Sequence, residues 1–75
     1  MNRSVEDLIR ISVAGGGFTL DGREFTVEQL VKIISAGHGS GSRIHVQNVG
    51  SKSTIELVRI AAANPGGVTL DLMNG

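Results

Sequence analysis

The sequence predicts an α/β fold: three helix–strand repeats that form two layers, with helices on one face of a mostly parallel three-stranded sheet. Three observations predict it. Three segments of the 75-residue chain align without gaps, each carries signals for a helix start and end, and each precedes a short alternating segment typical of a strand. We interpret the chain as a single domain, 1–75, with repeat units of about 4–25, 26–52 and 53–75.

The repeat is clearest in its helical part. The aligned segments are SVEDLIRISVAG from Ser4, TVEQLVKIISAG from Thr26 and STIELVRIAAAN from Ser53, a spacing typical of α/β repeats. Apolar residues recur on one wide face of each expected helix. The matching apolar positions are Leu8, Leu30 and Leu57, then Ile9, Val31 and Val58, then Ile11, Ile33 and Ile60.

Both ends of each helix are marked. Ser4, Thr26 and Ser53 are expected to cap the helix starts, because a hydroxyl oxygen can accept a hydrogen bond from an N–H of the first turn. Gln29 and Glu56, three residues after their caps, predict full capping boxes in the second and third units. The residues expected to end the helices by turning through positive φ are Gly15, Gly37 and Asn64.

An alternating apolar and polar segment follows each helix. These segments, Phe18–Leu20, Ile44–Val46 and Val68–Leu72, each predict a strand with one buried face. Helix-then-strand repetition with short loops favours parallel strands. The segment Phe18–Phe25 has a second interpretation, because its Asp21-Gly22 pair also favours a hairpin in which the first strand has an antiparallel partner.

The helix–strand period and the apolar lining of the strands resemble short α/β solenoids of the leucine-rich-repeat kind. The resemblance covers nearly the whole chain. It implies a binding surface on the open face of the sheet, and it assigns no functional residue.

Composition narrows the classes of function. Seven Lys and Arg balance seven Asp and Glu, so we expect no nucleic-acid partner. The chain has no cysteine, which excludes disulfides and thiolate zinc sites and is compatible with a reducing cytosol. No apolar run is long enough for a membrane span, and acids interrupt the N-terminal stretch where a secretory signal would be apolar. We therefore expect a cytoplasmic domain with no membrane partner and no cofactor.

The outer face of the sheet is the first candidate site. In-register strands would align Thr19, His45 and Thr69 in one row. The residues expected to form the binding surface on this face are Asp21, Arg43, His45, Gln47 and Asp71. His45 between two potential carboxylates suggests a small hydrolase or transferase as a third hypothesis, but no activated nucleophile aligns with it. We assign no catalytic residue and no metal ligand.

The junction from Gly50 to Thr54 is the second candidate site. It lies between a strand and the start of the third helix, where ligands of parallel sheets gather. The residues expected to bind an anion there are Gly50, Ser51, Lys52 and Ser53. The segment lacks the first glycine and the spacing of a phosphate-binding P-loop, and Ser53 is also explained as a helix cap.

Size and architecture favour association. A chain of this length without disulfides has a thin margin of stability, and a three-stranded parallel sheet leaves two open edges. The leading hypothesis is a non-enzymatic protein-interaction or self-assembly module that binds a protein partner or forms a homo-oligomer. The alternative is a small-ligand or anion-binding domain that uses the junction Gly50–Thr54.

Overall fold

The computed structural model describes residues 4–73 and confirms the predicted α/β fold. Helices and strands alternate along the chain, and the three strands form one parallel sheet in the order β1-β2-β3. The helices are α1 (Val5–Val13), α2 (Val27–Ala36) and α3 (Thr54–Ala62), and the strands are β1 (Phe18–Asp21), β2 (Ile44–Gln47) and β3 (Val68–Leu70).

The helix starts are capped as the sequence predicts. The hydroxyl of Thr26 accepts a hydrogen bond from the N–H of Gln29, and the Gln29 side chain accepts one from the N–H of Thr26. Ser53 and Glu56 make the same reciprocal pair at the start of α3. At α1, the Ser4 hydroxyl accepts from the third helical N–H. Local sequence therefore determines where all three helices begin.

The core lies between the sheet and the helices. Alternate strand residues point into it, and Leu20, Ile44 and Val46 are buried there while Thr19 and Thr69 on the other face are exposed. The helices supply the opposite wall, with α2 packed against both α1 and α3. The fully buried aliphatic side chains are Leu30, Ile33, Ile34, Ile44, Ile60, Val46 and Val49.

The hairpin interpretation of Phe18–Phe25 is wrong. β1 is followed by a short 3₁₀ helix, Gly22–Glu24, and pairs only with the parallel strand β2 among residues 4–73. Asp21 caps this 3₁₀ helix by accepting a hydrogen bond from the N–H of Arg23 at 3.0 Å. Gly22 does not have the positive φ that an Asp-Gly hairpin turn requires, and the backbone continues outward to α2.

The expected positive φ at the helix ends is right for one unit and wrong for two. Gly15 has φ +90°, but Gly37 has φ −87° and Asn64 is not left-handed. Gly37 is needed for space instead, because a Cβ there would lie 2.7 Å from the Cβ of Ser42. Asn64 is buried, and its amide lies 3.5 Å from the carbonyl oxygen of Ser42. The tight turns of these units lie further along, at Gly39 and Gly66.

Serine side chains fasten the loops that follow α1 and α2. The Ser42 hydroxyl donates to the carbonyl of Gly16 at 2.8 Å, and the Ser40 hydroxyl lies 2.7 Å from the carbonyl oxygen of Ser12. The Ser40 bond adds a partner to a carbonyl in the last turn of α1, and the Ser42 bond satisfies a loop carbonyl after that helix. The Ser12 hydroxyl is itself buried without a partner in the described chain.

The lengths of the helices bear on the membrane prediction. Between residues 4 and 73, none of the helices has the length and apolar character required to cross a bilayer.

Candidate outer sheet face and helix-three junction

The central row of the open sheet face is formed as the sequence predicts. The register aligns Thr19 of β1 with His45 of β2, and His45 with Thr69 of β3. His45 is half-buried, whereas both threonines are exposed. The nearest side chains across the sheet from the imidazole are therefore two short hydroxyl side chains, which leave room above it for a partner group.

The second predicted row is also brought together. Asp21 is level with Gln47 in the register of β1 and β2. Beyond the end of β3, the N–H of Asp71 donates to the carbonyl of Val46 at 2.9 Å, which is the bond of a residue level with Gln47 in a parallel ladder. Acidic residues thus flank the strand-end glutamine on both sides of β2.

Arg43 completes a polar ridge along β2. It immediately precedes the strand, two residues before His45, so it shares the outer face with His45 and Gln47. Glycines lie level with Arg43 on both neighbouring strands. On the β3 side, the carbonyl of Gly67 accepts a hydrogen bond from the N–H of Ile44. On the β1 side, Gly17 is so close that an added Cβ would lie 2.5 Å from the Arg43 carbonyl oxygen. The long side chains of β2 therefore stand between two columns of smaller ones.

Asp21 has internal partners that the sequence did not reveal. Its Oδ1 accepts hydrogen bonds from Nε of Arg23 at 3.2 Å and from Nδ2 of Asn48 at 3.1 Å, and its Oδ2 accepts from Nη2 of Arg23 at 3.1 Å. The Arg23 side chain above all, then the Arg23 backbone N–H and the Asn48 amide, hold the pKa of Asp21 well below its usual range. The Asp21 carboxylate is therefore charged and already hydrogen-bonded within the domain, so its first role is structural.

The low pKa of Asp21 predicts an acid-sensitive contribution to stability. A carboxyl group whose pKa is lower in the folded state stabilises the fold above its unfolded pKa, and that contribution is lost as pH falls toward the folded pKa. We expect the urea midpoint of the wild type to decrease as pH falls below about 4. Asp21→Asn should lack this part of the pH dependence.

Arg23→Gln provides the matching control, because it removes the main hydrogen-bond partner and leaves the carboxyl in place. It should weaken the acid dependence of the urea midpoint as Asp21→Asn does. Equal acid dependence in the wild type and both variants would contradict a stabilising role for this pair.

Asp71 is also held locally. Its Oδ1 accepts a hydrogen bond from the N–H of Met73 at 3.0 Å, and its carbonyl accepts from the N–H of Val49 at 3.2 Å. The second bond passes over Asn48, which adopts φ +62° and bulges out of the ladder. The acids at the strand ends therefore fix the chain as it leaves the sheet.

The junction before α3 shows the geometry of a capped helix. The hydroxyl of Ser53 accepts from the N–H of Glu56 at 3.2 Å, and the Glu56 carboxylate accepts from the N–H of Ser53 at 3.0 Å. A carboxylate thus already uses the helix start that an anion would approach. Lys52 is half-buried, and Gly50 and Ser51 are exposed in the turn before it. Anion binding here stays a prediction.

Two hollows were missed by reasoning from the sequence. One is a groove of about 480 Å³ along the β1 edge, and we call its apolar lining, Leu8, Ile11, Phe18, Leu20 and Phe25, the head groove. The other is a shallow polar hollow of about 260 Å³ near the amino ends of β2 and β3, bordered by His38, Arg43 and Asn64. No sequence signal marks the head groove, because Ile11 aligns with the identical residues Ile33 and Ile60.

Metal binding has no geometric support in the part of the chain that the structure describes. No group of three or more His, Asp or Glu side chains within residues 4–73 could hold a metal ion together.

Comparison of the chain with protein-family models, with curated proteins and with solved structures found no match. The candidate surfaces therefore rest on this chain's own residues.

Proposed function

We propose that this domain is a non-enzymatic protein-interaction module that self-associates, with the outer sheet face and the open strand edges as its contact surfaces. The observation that carries the proposal is the one-sided cover of the sheet. The helices pack on one face only, and the other face presents Arg43, His45 and Gln47 as a ridge above smaller neighbours. Such a face offers several hydrogen-bonding groups in fixed register to a protein partner.

The sheet edges add a second reason. β1 and β3 are the outer strands of the three-stranded order, and an edge strand presents backbone N–H and C=O groups to a further strand. Large apolar side chains on the first and third helices are also exposed, and their burial against a partner would stabilise the folded chain. These exposed residues include Ile11, Ile55 and Val58.

The expected partner is a protein, and the expected compartment is the cytoplasm. A net charge of zero gives no general attraction to a polyanion. A chain without cysteine is suited to a reducing environment because it gains nothing from disulfide formation. The resemblance to leucine-rich-repeat solenoids supports the same use of the open sheet face.

Self-association predicts a mass and a melting temperature that both increase with protein concentration. We expect this across about a hundredfold range of concentration, because association stabilises the folded chain by mass action. Light scattering and thermal melts on the same samples measure the two quantities. Amide NMR spectra at both ends of the range should show broadening at the edge strands β1 and β3, while Glu28 and Lys32 on the outer side of α2 stay unchanged.

A monomer with a constant melting temperature over the whole range would contradict the self-association. Broadening confined to the outer side of the helices would keep association but move it away from the sheet.

A further inference from the structure

One repeat position is buried in the second and third units and open in the first. Ile33 and Ile60 are both 0% exposed, whereas the aligned Ile11 is 38% exposed. α2 and α3 each have a preceding helix to pack against, and α1 is the first in the described order. Ile11 and the rest of the head groove therefore form the side of the first unit that a preceding unit would cover.

A second repeat position shows the opposite pattern. Ile9 and Val31 are half-buried and pack against the core, whereas the aligned Val58 is 60% exposed. α3 has no following helix in the described chain. Residues three apart on a helix are neighbours, so Ile55, Val58 and Ala61 form one row on this side, which we call the tail stripe.

Ile55 strengthens the contrast. The aligned residues in the first two units are Glu6 and Glu28, both exposed and charged. In the third unit the same position carries an isoleucine that is 76% exposed. An apolar substitution at a solvent position is confined to the unit that lacks a following helix, which is where a further unit would contact it.

The backbone of the sheet points to the same continuation. The N–H of Phe18 donates to the carbonyl of Arg43 at 3.3 Å, and the N–H of Ile44 donates to the carbonyl of Gly67 at 2.8 Å. Repeating this step would pair the N–H of Val68 with the carbonyl of Gly17 in a second copy. That register would place Phe18 beside Val68 and Leu20 beside Leu70, so the apolar rows would continue without interruption.

We propose that copies of this chain join head to tail, with the tail stripe of one copy in the head groove of the next and β3 paired in parallel with β1. The occupant of each groove is thus a second copy of this chain. The inference rests on the proposed self-association and gives its edge contacts a geometry, while the outer sheet face stays free for a protein partner. The two contacting surfaces differ, so the contact is heterologous and repeats until a ring closes or a filament grows.

Two charge substitutions test this arrangement on the full chain. Val58→Lys places a charge on the tail stripe, and Ile11→Lys places one in the head groove, where its long stem can reach solvent. Val13→Lys is the control, because Val13 is 60% exposed like Val58 but lies on neither surface. Circular dichroism and urea midpoints establish that each variant is folded, and light scattering measures its mass.

Head-to-tail contact predicts a specific pattern of masses. The wild type and Val13→Lys should grow beyond dimers as concentration increases, whereas Val58→Lys and Ile11→Lys should each remain monomeric. An equimolar mixture of the two blocked variants should form dimers and nothing larger, because each contributes one intact surface. If Ile11→Lys fails to fold, Phe18→Lys at the groove takes its place in the mixture.

Other outcomes separate the two proposals. A wild type that associates while the mixture of blocked variants stays monomeric would overturn the head-to-tail arrangement and leave self-association standing. A wild-type dimer that Val58→Lys and Ile11→Lys do not weaken would do the same, because each change blocks one of the two proposed contact surfaces. A wild type that is monomeric throughout would overturn both.

Discussion

Leu30→Ala is expected to lower the free energy of unfolding by about 3 kcal/mol, within the 2–5 kcal/mol range of buried leucine truncations. Leu30 is fully buried in the middle helix and belongs to the core cluster that joins helix and strand residues. Truncation leaves a cavity that neither layer can close without losing other contacts. Urea unfolding followed by circular dichroism, at one fixed protein concentration, measures the loss.

A graded pair of controls separates packing from helix formation. Ile33→Val removes one buried methylene from the same helix and should cost about 1 kcal/mol. Val13→Ala shortens an exposed side chain and should change stability by less than about 0.5 kcal/mol. Equal losses for Leu30→Ala and Val13→Ala would show that α2 is not the centre of the core.

Gly22→Ala is expected to destabilise the fold by about 1–3 kcal/mol, through overpacking. Gly22 is buried at the end of β1, and its position has no room for a methyl group. A Cβ there would overlap Cγ1 of Val49, and it would lie 3.0 Å from the carbonyl oxygen of Gln47 and 3.1 Å from Cγ1 of Val46. The neighbours are a strand carbonyl and two fully buried valines, which cannot move without disturbing the core.

Gly39→Ala is the matched control for this effect. Gly39 has φ +85° and open space around its Cα, so alanine there incurs only the left-handed backbone penalty of about 1–2 kcal/mol. The two variants also lose stability for different reasons. Enlarging a neighbouring core side chain should increase the stability loss of Gly22→Ala and leave that of Gly39→Ala unchanged. Replacing Val49 with alanine in the Gly22→Ala background should recover part of the packing loss, because the Val49 side chain is the nearest neighbour of the added Cβ. No recovery in the double variant would argue against the predicted clash.

The region around Asp21 and Gly22 shows where prediction from sequence reached its limit. An Asp-Gly pair is compatible with a hairpin turn and with a cap of a short helix, because an aspartate side chain can bond the backbone two residues on in either setting. The features that distinguish the two are distant in sequence: β1 pairs in parallel with β2, and Asp21 accepts a hydrogen bond from Asn48, 27 residues away. No local pattern contains that information.

The sheet was predictable because its signals are periodic. Once three equivalent units alternate helix and strand, the parallel register of Thr19, His45 and Thr69 follows from alignment of the units. The helix starts were predictable because a hydroxyl cap acts within three residues. The helix ends were not, because the turns of the second and third units depend on how Gly37 and Asn64 pack against Ser42.

The candidate surfaces divide in the same way. The polar rows follow from strand alternation and could be assigned in advance. The head groove could not, because Ile11 looks equivalent to Ile33 and Ile60 in sequence. These isoleucines differ only in whether a neighbouring helix exists on the relevant side, which is a property of the assembled layers. The tail stripe had one signal in the sequence, Ile55 at a position where the other units carry glutamate.

Placing every helix on one side has a mechanical consequence. Neighbouring strands lie about 4.8 Å apart, whereas packed helices lie about 8–10 Å apart. Successive units are therefore spaced further apart in the helix layer than in the strand layer, and a straight stack cannot satisfy both spacings. The body must arch, with the helices on its outer arc and the strands on its inner arc. The imidazole of His45 then lies on the inner arc, so any further units joined to the sheet would curve toward it rather than away from it.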